Sequence, residues 1–135
     1  MAISDLVLDS DVIIDFLRRH SDALLDVLTR YRGHLTAITV YEIEATMVQS
    51  DRQMQQFGQM VQLMRVLPLD AAAARQAAAI QRTLQQQGQV IGLPDTLIAG
   101  ICLAQQLPLL THNAHHYQRV AGLQVVAPAD LTPPS

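Results

Sequence analysis

Short apolar runs alternate with longer amphipathic segments along the whole chain. The apolar runs predict strands, and the segments with apolar residues three and four positions apart predict helices. The predicted strands cover residues 6–8, 35–38, 66–69, 108–111 and 124–126. The predicted helices cover residues 12–19, 21–32, 39–50, 51–64, 71–87, 95–106 and 114–120. This alternation indicates an α/β fold in which a mostly parallel sheet of four or five short strands lies between two helical layers.

The domain organisation follows from the same pattern. Because no repeat, linker or low-complexity stretch interrupts it, residues 1–135 are expected to form one domain, with a loose tail over residues 128–135. Residues 51–64 carry a helical apolar stripe, which is predicted to pack in the core or in a helix hairpin. The stripe consists of Met54, Phe57, Val61 and Met64.

Composition narrows the class of protein. Charged residues make up 16% of the chain, below the roughly 25% typical of soluble domains, which hints at a surface buried against another chain. The net charge is −3, and all nine basic residues are arginines. Polyanion binding would therefore need a local arginine cluster or a metal ion. Arg18 and Arg19 could line such a groove, although solvated surface arginines are the default interpretation.

The cellular compartment is predicted from what the sequence lacks. Cys102 is the only cysteine, which excludes an internal disulfide and fits a reducing compartment. The first residues show no signal-peptide pattern, and no apolar run approaches the roughly 20 residues that span a bilayer. We therefore expect a cytoplasmic protein without membrane contact.

Polar residues follow the predicted strands, at the edge of the sheet where open parallel sheets bind ligands. The positions are Asp9 to Asp11, Thr39 to Glu42, Asp70, Asp95, and Thr111 to Asn113. Carboxylates that converge at one point repel each other unless a cation lies between them. Oxygen ligands favour Mg²⁺ or Mn²⁺, which can activate water against a phosphodiester. No glycine-rich phosphate loop is present.

Each of these acids also fits a simpler structural role. Asp9, Asp11 and Asp95 could cap the helices that follow them. Glu42 completes a capping box with Thr39. Asp70 carries the same local pattern as Asp95 and is interpreted as a cap alone, yet local pattern does not separate the two.

Four stretches of the chain together resemble the PIN-domain nucleases, and among them the VapC-like toxins of bacterial toxin–antitoxin pairs. They are LDSDVIIDFL at residues 8–17, ITVYE at 38–42, LPDTLIA at 93–99 and PLLTHNAHHY at 108–117. They occur in the order and at the spacing usual in that family. The resemblance covers nearly the whole chain and implies a PIN-like α/β/α sandwich.

The resemblance also implies roles for individual residues. Asp9, Glu42 and Asp95 would bind the metal, Mg²⁺ or Mn²⁺, with Asn113 at the fourth polar position of the catalytic site and Ser10 as a hydroxyl-bearing neighbour. In the family the ends of strands one, two and four lie side by side, whereas strand three lies at an edge, which leaves Asp70 outside the site.

The chain departs from the family at two positions. Asp11 stands where Asn is common, and Asn113 stands where Asp is frequent. Asp11 could restore the missing charge or only cap the first helix. The number of metal ions, one or two, is left open by these departures.

The implied activity is metal-dependent cleavage of RNA by a toxin, with water as the attacking group and a 5′-phosphate and a 3′-hydroxyl as products. The implied partners are RNA, an antitoxin protein that docks near the stripe of residues 54–64, and a second copy of the chain. Methionine-rich faces adapt well to partner helices. The alternatives are a housekeeping nuclease acting on RNA or DNA and a non-catalytic binding module on the same fold.

Other enzyme classes fit less well. Haloacid-dehalogenase-like phosphatases and receiver domains share the acids after a strand, but both need a lysine, and the chain has none. His112, His115 and His116 resemble a zinc-binding cluster, but zinc sites usually add cysteines and Cys102 lies in an apolar helix. Contact of His115 or His116 with RNA phosphate is a further possibility, beside plain solvation.

Overall fold

The computed structural model of the chain describes residues 3–20 and 22–131. The strands are β1 (Asp5–Leu8), β2 (Arg32–Thr36), β3 (Arg65–Leu67), β4 (Leu109–Leu110) and β5 (Val125–Val126). The helices are α1 (Ser10–Arg19), α2 (Asp22–Arg30), α3 (Ala37–Glu42), α4 (Asp51–Leu63), α5 (Ala71–Gln86), α6 (Leu93–Gln105) and α7 (Ala114–Tyr117). A π-helical turn, Ile43–Met47, follows α3 directly. The predicted α/β alternation is confirmed.

The five strands form one sheet in the order β3-β2-β1-β4-β5, and every neighbouring pair is parallel. The predicted mostly parallel sheet is therefore confirmed. In this order the carboxyl ends of β2, β1 and β4 lie next to each other, while β3 lies at an edge. Three of the polar segments identified in the sequence consequently meet at one place.

Helices cover both faces of the sheet. Successive residues of a strand point to opposite faces, so Leu6 and Leu8 of β1 pack with α1, α2 and α4, whereas Val7 packs with α5 and α6. All three side chains are fully buried. The predicted three-layer arrangement is confirmed. The next residue after the central strand, Asp9, lies at the edge of a core that is buried on both faces of the sheet.

The boundary between α2 and β2 differs from the prediction. The second helix was expected to run to residue 32 and the next strand to begin at residue 35, but α2 ends at Arg30 and Gly33 lies inside β2. A Cβ atom at Gly33 would lie 2.7 Å from Leu28 Cδ2 and 3.3 Å from Leu8 Cδ1. The glycine therefore accommodates packed leucine side chains and does not stop a helix.

The start of α3 also differs from the prediction. Residues up to Ile38 were expected in a strand, with a helix beginning at Thr39. Instead Thr36 caps α3, because its hydroxyl accepts a hydrogen bond of 3.0 Å from the backbone N–H of Thr39. The capping box of Thr39 and Glu42 was therefore a wrong prediction, and Glu42 lies at the end of α3 instead of in the first turn of a helix.

Helix α6 packs closely on α5. A Cβ atom at Gly100 would lie 2.7 Å from the carbonyl oxygen of Ala73 and 2.7 Å from Ala77 Cβ. Only a residue without a side chain permits this approach of α6 to α5.

The stripe on α4 packs against the core, as predicted. Phe57 is fully buried, and Val61 and Met64 are partly buried against the cluster around α1. Ser50 caps α4 by accepting a 3.2 Å hydrogen bond from the N–H of Gln53.

The prediction of a loose tail is wrong for residues 128–131. Pro128–Leu131 forms a 3-10 turn, and Leu131 is buried in the core, whereas residues 132–135 lie outside the described residues. Within residues 3–20 and 22–131, no helix is both long and apolar enough to cross a membrane.

Candidate active site

Asp9 is the central acid of the site and lies directly after β1. Its Oδ1 accepts a 2.8 Å hydrogen bond from the N–H of Ser10, and its Oδ2 accepts a 2.7 Å hydrogen bond from the Thr111 hydroxyl at the end of β4. The residue is 5% exposed. Asp9 is indeed the N-cap of α1, but the cap uses one oxygen while the other joins two strands. The interpretation of Asp9 as a helix cap is therefore confirmed, whereas its role as a metal ligand stays a prediction.

Asp11 points to the same strand ends. Its Oδ2 lies 3.2 Å from the Thr111 hydroxyl, and its Oδ1 accepts a 3.2 Å hydrogen bond from the N–H of His112. Because Asp9 caps α1, the interpretation of Asp11 as the cap was wrong. Asp11 instead adds a second negative charge beside Asp9, in the first turn of α1.

Glu42 reaches the site from α3. Its Oε1 accepts a 2.7 Å hydrogen bond from the Ser10 hydroxyl. The hydroxyls of Thr36 and Thr39 extend this chain of contacts at 3.1 Å, and Thr39 lies 3.3 Å from Ser10. A small buried network of hydroxyl groups thus connects Glu42 with the residue that follows Asp9.

Asp95 enters from the first turn of α6, whose N-cap is Gly92. The interpretation of Asp95 as a cap was therefore wrong. Its Oδ1 accepts a 3.0 Å hydrogen bond from the hydroxyl of Tyr117, and its Oδ2 lies 3.2 Å from His116 Nε2. The Tyr117 oxygen is also 3.5 Å from Asp9 Oδ1. Asp95 and Asp9 therefore share a common neighbour.

The other predicted polar residues take different positions. Asn113 is exposed, and its backbone N–H donates a 3.0 Å hydrogen bond to Thr111 Oγ1. Asp70 caps α5 by accepting a 2.9 Å hydrogen bond from Ala73, as predicted, and follows the edge strand β3. A catalytic role for Asn113 remains a prediction.

The histidines do not gather at one point. His116 contacts Asp95, whereas His112 Nε2 lies 3.7 Å from Asp15 and His115 is exposed. Cys102 is fully buried within α6, and burial raises the pKa of its thiol. These positions give no support to the zinc interpretation.

The electrostatics of the site are dominated by burial and by like charges. Burial and the neighbouring charge of Asp11 raise the pKa of Asp9 to about 7, against the lowering effect of hydrogen bonds from Thr111 and Ser10. Burial also raises the pKa of Glu42, and the charge of Asp95 adds to the effect. Burial raises the pKa of Tyr117 far above its usual range, so the phenol stays a hydrogen-bond donor. The negative charges of Asp9 and Glu42 therefore destabilise the folded protein when no cation is bound.

The side-chain chemistry suits a hard cation. All four acids offer oxygen atoms, and a cation would offset the burial and the repulsion from Asp11 that raise the pKa of Asp9. Within the part of the chain that the structure describes, no three acidic, histidine or cysteine side chains are grouped so that they could together hold an ion. Mg²⁺ keeps several waters and binds proteins through one or two carboxylates. The arrangement therefore fits a partly hydrated ion and not a closed cage.

Sequence reasoning did not assign roles to two of the site residues. Thr111 stood among the positions after β4, but its contact with both Asp9 and Asp11 was not foreseen. Tyr117 lies within the stretch at 108–117, yet an aromatic residue on a short helix ordinarily predicts core packing. The signal that could have identified it is weak: a phenol four residues after Asn113, on a helix that begins beside the acids.

The chain is similar to known proteins in both sequence and fold. The family model of the PIN domain matches residues 6–123. The chain is 39% identical over 59 residues to the tRNA(fMet)-specific endonuclease VapC of Shigella flexneri, a match over 44% of this chain and 45% of that protein. It is 28% identical over 97 residues to Ribonuclease VapC3 of Methanocaldococcus jannaschii, over 72% of this chain and 97% of that protein. The chain thus matches less than half the length of the first relative and nearly all of the second.

Solved structures share the fold. VapBC2 of Rickettsia felis, bound to a DNA fragment from its promoter, superposes with a TM-score of 0.83 at 17% identity, covering 91% of this chain and 98% of that one. VapBC-5 of Mycobacterium tuberculosis, described as a member of the VapBC family of toxin-antitoxin systems, superposes with a TM-score of 0.68 at 24% identity, covering 92% and 97%. These similarities support the three-layer architecture described above.

Proposed function

Because the chain belongs to the PIN-domain family, we propose that it is a metal-dependent endoribonuclease and the toxin of a toxin–antitoxin pair. The observation that carries the proposal is the meeting of acids from different elements at one edge of the sheet. Asp9 and Asp95 share Tyr117 as a neighbour, and Glu42 is joined to Ser10. The matched relatives named as an endonuclease and a ribonuclease support the same reaction class.

Asp9, Glu42 and Asp95 are the proposed ligands of Mg²⁺ or Mn²⁺, directly or through water. When bound, such an ion lowers the pKa of an attacking water and stabilises the charge that develops on the phosphodiester. Burial, together with the neighbouring charge of Asp11, raises the pKa of Asp9 to about 7. Such a residue has more to gain from a cation than an exposed aspartate has.

The protein's own groups orient these carboxylates. Thr111 holds Asp9 Oδ2, and the N–H of Ser10 holds Asp9 Oδ1, so the rotamer of Asp9 is fixed from two strand ends. The Ser10 hydroxyl orients Glu42 Oε1. A carboxylate of this set is also the acceptor for the proton of the attacking water. Asn113 and Asp11 lie at the exposed side, where they can contact RNA or its hydration shell.

The substrate to test first is the initiator tRNA, because the Shigella relative is named for it. Arg18 and Arg19, which lie in the last turn of α1 and so at the other end of that helix from Asp9, are less free than expected. Arg18 donates a 2.9 Å hydrogen bond to the carbonyl of Met47, and Arg19 pairs with Asp15 at 2.9 Å. RNA contacts by either arginine would require the exchange of these interactions.

The proposed partners are an antitoxin and a second copy of the chain, and the proposed compartment is the cytoplasm. The described structures of VapBC systems support an antitoxin. Docking near residues 54–64 would use the exposed side of α4, because Phe57 itself faces the core. Crosslinking of a bound antitoxin far from α4 would contradict this position, and a solution mass of one chain would contradict the dimer.

The activity is tested with the purified chain, freed of any bound partner, and with initiator tRNA, total bacterial RNA and single-stranded DNA as substrates. We expect discrete RNA fragments with 5′-phosphate ends in Mn²⁺ or Mg²⁺ and none in EDTA. Asp95→Asn should abolish cleavage. Asp70→Asn is the matched control, since Asp70 has the same local pattern but follows the edge strand and is expected to leave cleavage unchanged.

The outcomes separate the alternatives. Cleavage of DNA in preference to RNA would favour a DNA nuclease on the same fold. Cleavage that survives Asp95→Asn would come from a contaminating nuclease. Absence of cation binding by calorimetry, together with absence of cleavage by the lone chain, would contradict the enzyme and favour a binding module.

A further inference from the structure

Tyr117 is a buried residue whose side chain contacts two of the proposed cation ligands. It is fully buried, its hydroxyl donates to Asp95 Oδ1 at 3.0 Å, and the same oxygen lies 3.5 Å from Asp9 Oδ1. Its ring belongs to the core cluster formed with α5, α6 and the sheet. The packed ring therefore holds the hydroxyl at a fixed place between two carboxylates.

The two carboxylates differ in how they are held. Asp9 is fixed from the strand ends by Ser10 and Thr111. Asp95 lies in the first turn of α6, and both of its oxygens contact residues of α7: Oδ1 contacts Tyr117, and Oδ2 contacts His116 at 3.2 Å. The orientation of Asp95 relative to Asp9 thus depends on α7 and not on its own helix.

Of the two α7 contacts, the one from Tyr117 is the better protected. The side chain of His116 is 27% exposed, so water can replace its contact with Asp95. Water does not reach the side chain of Tyr117, which is fully buried. The loss of a buried hydrogen bond to a charged acceptor has a free-energy cost. Hydrogen bonds to metal-binding carboxylates commonly change metal affinity by about 10- to 100-fold when they are lost.

We propose that the Tyr117 hydroxyl is a positioning group that fixes the carboxylate of Asp95 beside that of Asp9 and so sets the affinity of the pair for a divalent cation. The inference rests on the proposed function, since it assumes that these acids bind a cation. It adds a residue that touches neither the cation nor RNA in the proposed scheme and acts only through Asp95 and Asp9.

The variant that tests this is Tyr117→Phe, which removes one oxygen and keeps the ring. Calorimetric titration of the metal-free chain with Mn²⁺ and with Mg²⁺ should show binding weakened about tenfold. The concentration of Mn²⁺ that gives half-maximal RNA cleavage should rise by the same factor, while the KM for RNA stays unchanged. A hydroxyl that only stabilised the fold would not weaken cation binding while it left the KM for RNA unchanged.

Two controls make the measurement specific. Tyr41→Phe removes the same oxygen from a side chain that is 68% exposed, and cation binding should remain at the wild-type level. Thermal unfolding in EDTA reports on folding, and Tyr117→Phe is expected to melt within about 5 °C of the wild type, the shift that roughly 1 kcal/mol causes in a chain of this size.

A double variant tests the route through Asp95. In an Asp95→Asn background, Tyr117→Phe should weaken cation binding by less than twofold, because the carboxylate that it positions is gone. A full tenfold loss in that background would overturn the inference. So would single-variant binding within twofold of the wild type.

The same measurements distinguish a failure of the proposed function from a failure of the inference about Tyr117. A wild-type chain that binds no divalent cation would overturn the proposed function and this inference with it. A wild-type chain that binds the cation and cleaves RNA, with Tyr117→Phe indistinguishable from it, would overturn the inference alone.

Discussion

The two ends of strand β1 carry aspartates in opposite circumstances. Asp5 begins the strand beside basic groups, with His34 Nε2 at 2.9 Å and Arg32 at 3.8 Å. Asp9 follows the strand beside Asp11 and Asp95. A hydrogen bond with His34 lowers the pKa of Asp5, whereas burial and the charge of Asp11 raise the pKa of Asp9 to about 7. One end of the strand is electrostatically compensated and the other is not.

The difference indicates which end of β1 would gain more from a bound cation. An acid whose charge is already neutralised contributes to the folded state and has little to offer a cation. An acid held among other acids destabilises the metal-free protein and gains from a ligand. Both are aspartates at the ends of the same strand, so residue type and local pattern do not distinguish them. The surrounding elements do, because parallel strands bring α3, α6 and α7 to the carboxyl end.

The largest expected effect is on cleavage. Asp9→Asn should reduce metal-dependent RNA cleavage by about a thousandfold, since removal of a cation ligand costs roughly 4 kcal/mol of transition-state stabilisation. Asp5→Asn at the other end of β1 should leave the rate within about twofold, because it touches no proposed ligand. Initial rates with Mn²⁺ on a defined RNA are the measurement.

Equal losses in the two variants would break the comparison, because they would show that both ends of β1 act through folding. Circular dichroism of each variant at the assay temperature is the control that separates a loss of fold from a loss of chemistry.

The sequence predicted the fold more completely than the site. Apolar runs and caps gave the strands, the helices and their alternation along the chain, and Asp70 caps a helix as expected. The prediction failed at Gly33 and at Thr39, where tertiary packing and a hydroxyl cap outweigh local propensity. Glycine next to packed leucines and threonine inside a helix have no distinctive local pattern.

The site was predicted only as a short list of acids. Helix capping and cation binding draw on the same residue types, so Asp70 and Asp95 look alike in sequence. Strand order separates them, because β3 lies at the edge and β4 beside β1. That order is a non-local property, and in the sequence it came only from the resemblance to a family. The contact of Tyr117 with Asp95 spans 22 residues and two helices, which no local pattern predicts.

The second effect in size concerns the stability of the metal-free chain. Asp9→Asn should raise its free energy of unfolding by about 2 kcal/mol at pH 8, because a buried charge with acidic neighbours is removed. Denaturation by urea in EDTA measures this change. A stability equal to or below that of the wild type would show that the lost hydrogen bonds to Asp9 outweigh its repulsion.

The third effect is the pH dependence of the stability of the metal-free chain. The pKa of Asp9 is raised from an ordinary 3.8 to about 7 in the folded chain, so the folded state holds a proton that the unfolded state releases. Its contribution to stability is complete below about pH 4 and is lost as the pH rises through 7. We expect the melting temperature of the metal-free chain to fall between pH 5 and pH 8 by several degrees, on the order of 5 °C.

Two measurements sharpen this expectation. Asp9→Asn should reduce the fall in melting temperature between pH 5 and pH 8. Saturating Mn²⁺ should reverse this fall, because a cation binds the deprotonated carboxylate. A decline that is unchanged in Asp9→Asn would assign the effect to another group.

The smallest expected effect is the change in melting temperature caused by Asp5→Asn, at the amino end of β1. The pKa of Asp5 is lowered in the folded chain, so its contribution to stability is present above about pH 4 and is lost as the pH falls through the folded value. Asp5→Asn should therefore lower the melting temperature at pH 7, by less than Asp9→Asn raises it, and the difference from the wild type should shrink at pH 3. Because Asp5 is partly exposed and Arg32 lies 3.8 Å away, added salt should reduce the difference further. If Asp5→Asn instead stabilised the chain at pH 7, the amino end of β1 would also be a place of uncompensated charge, and the contrast that marks the carboxyl end as the site would be lost.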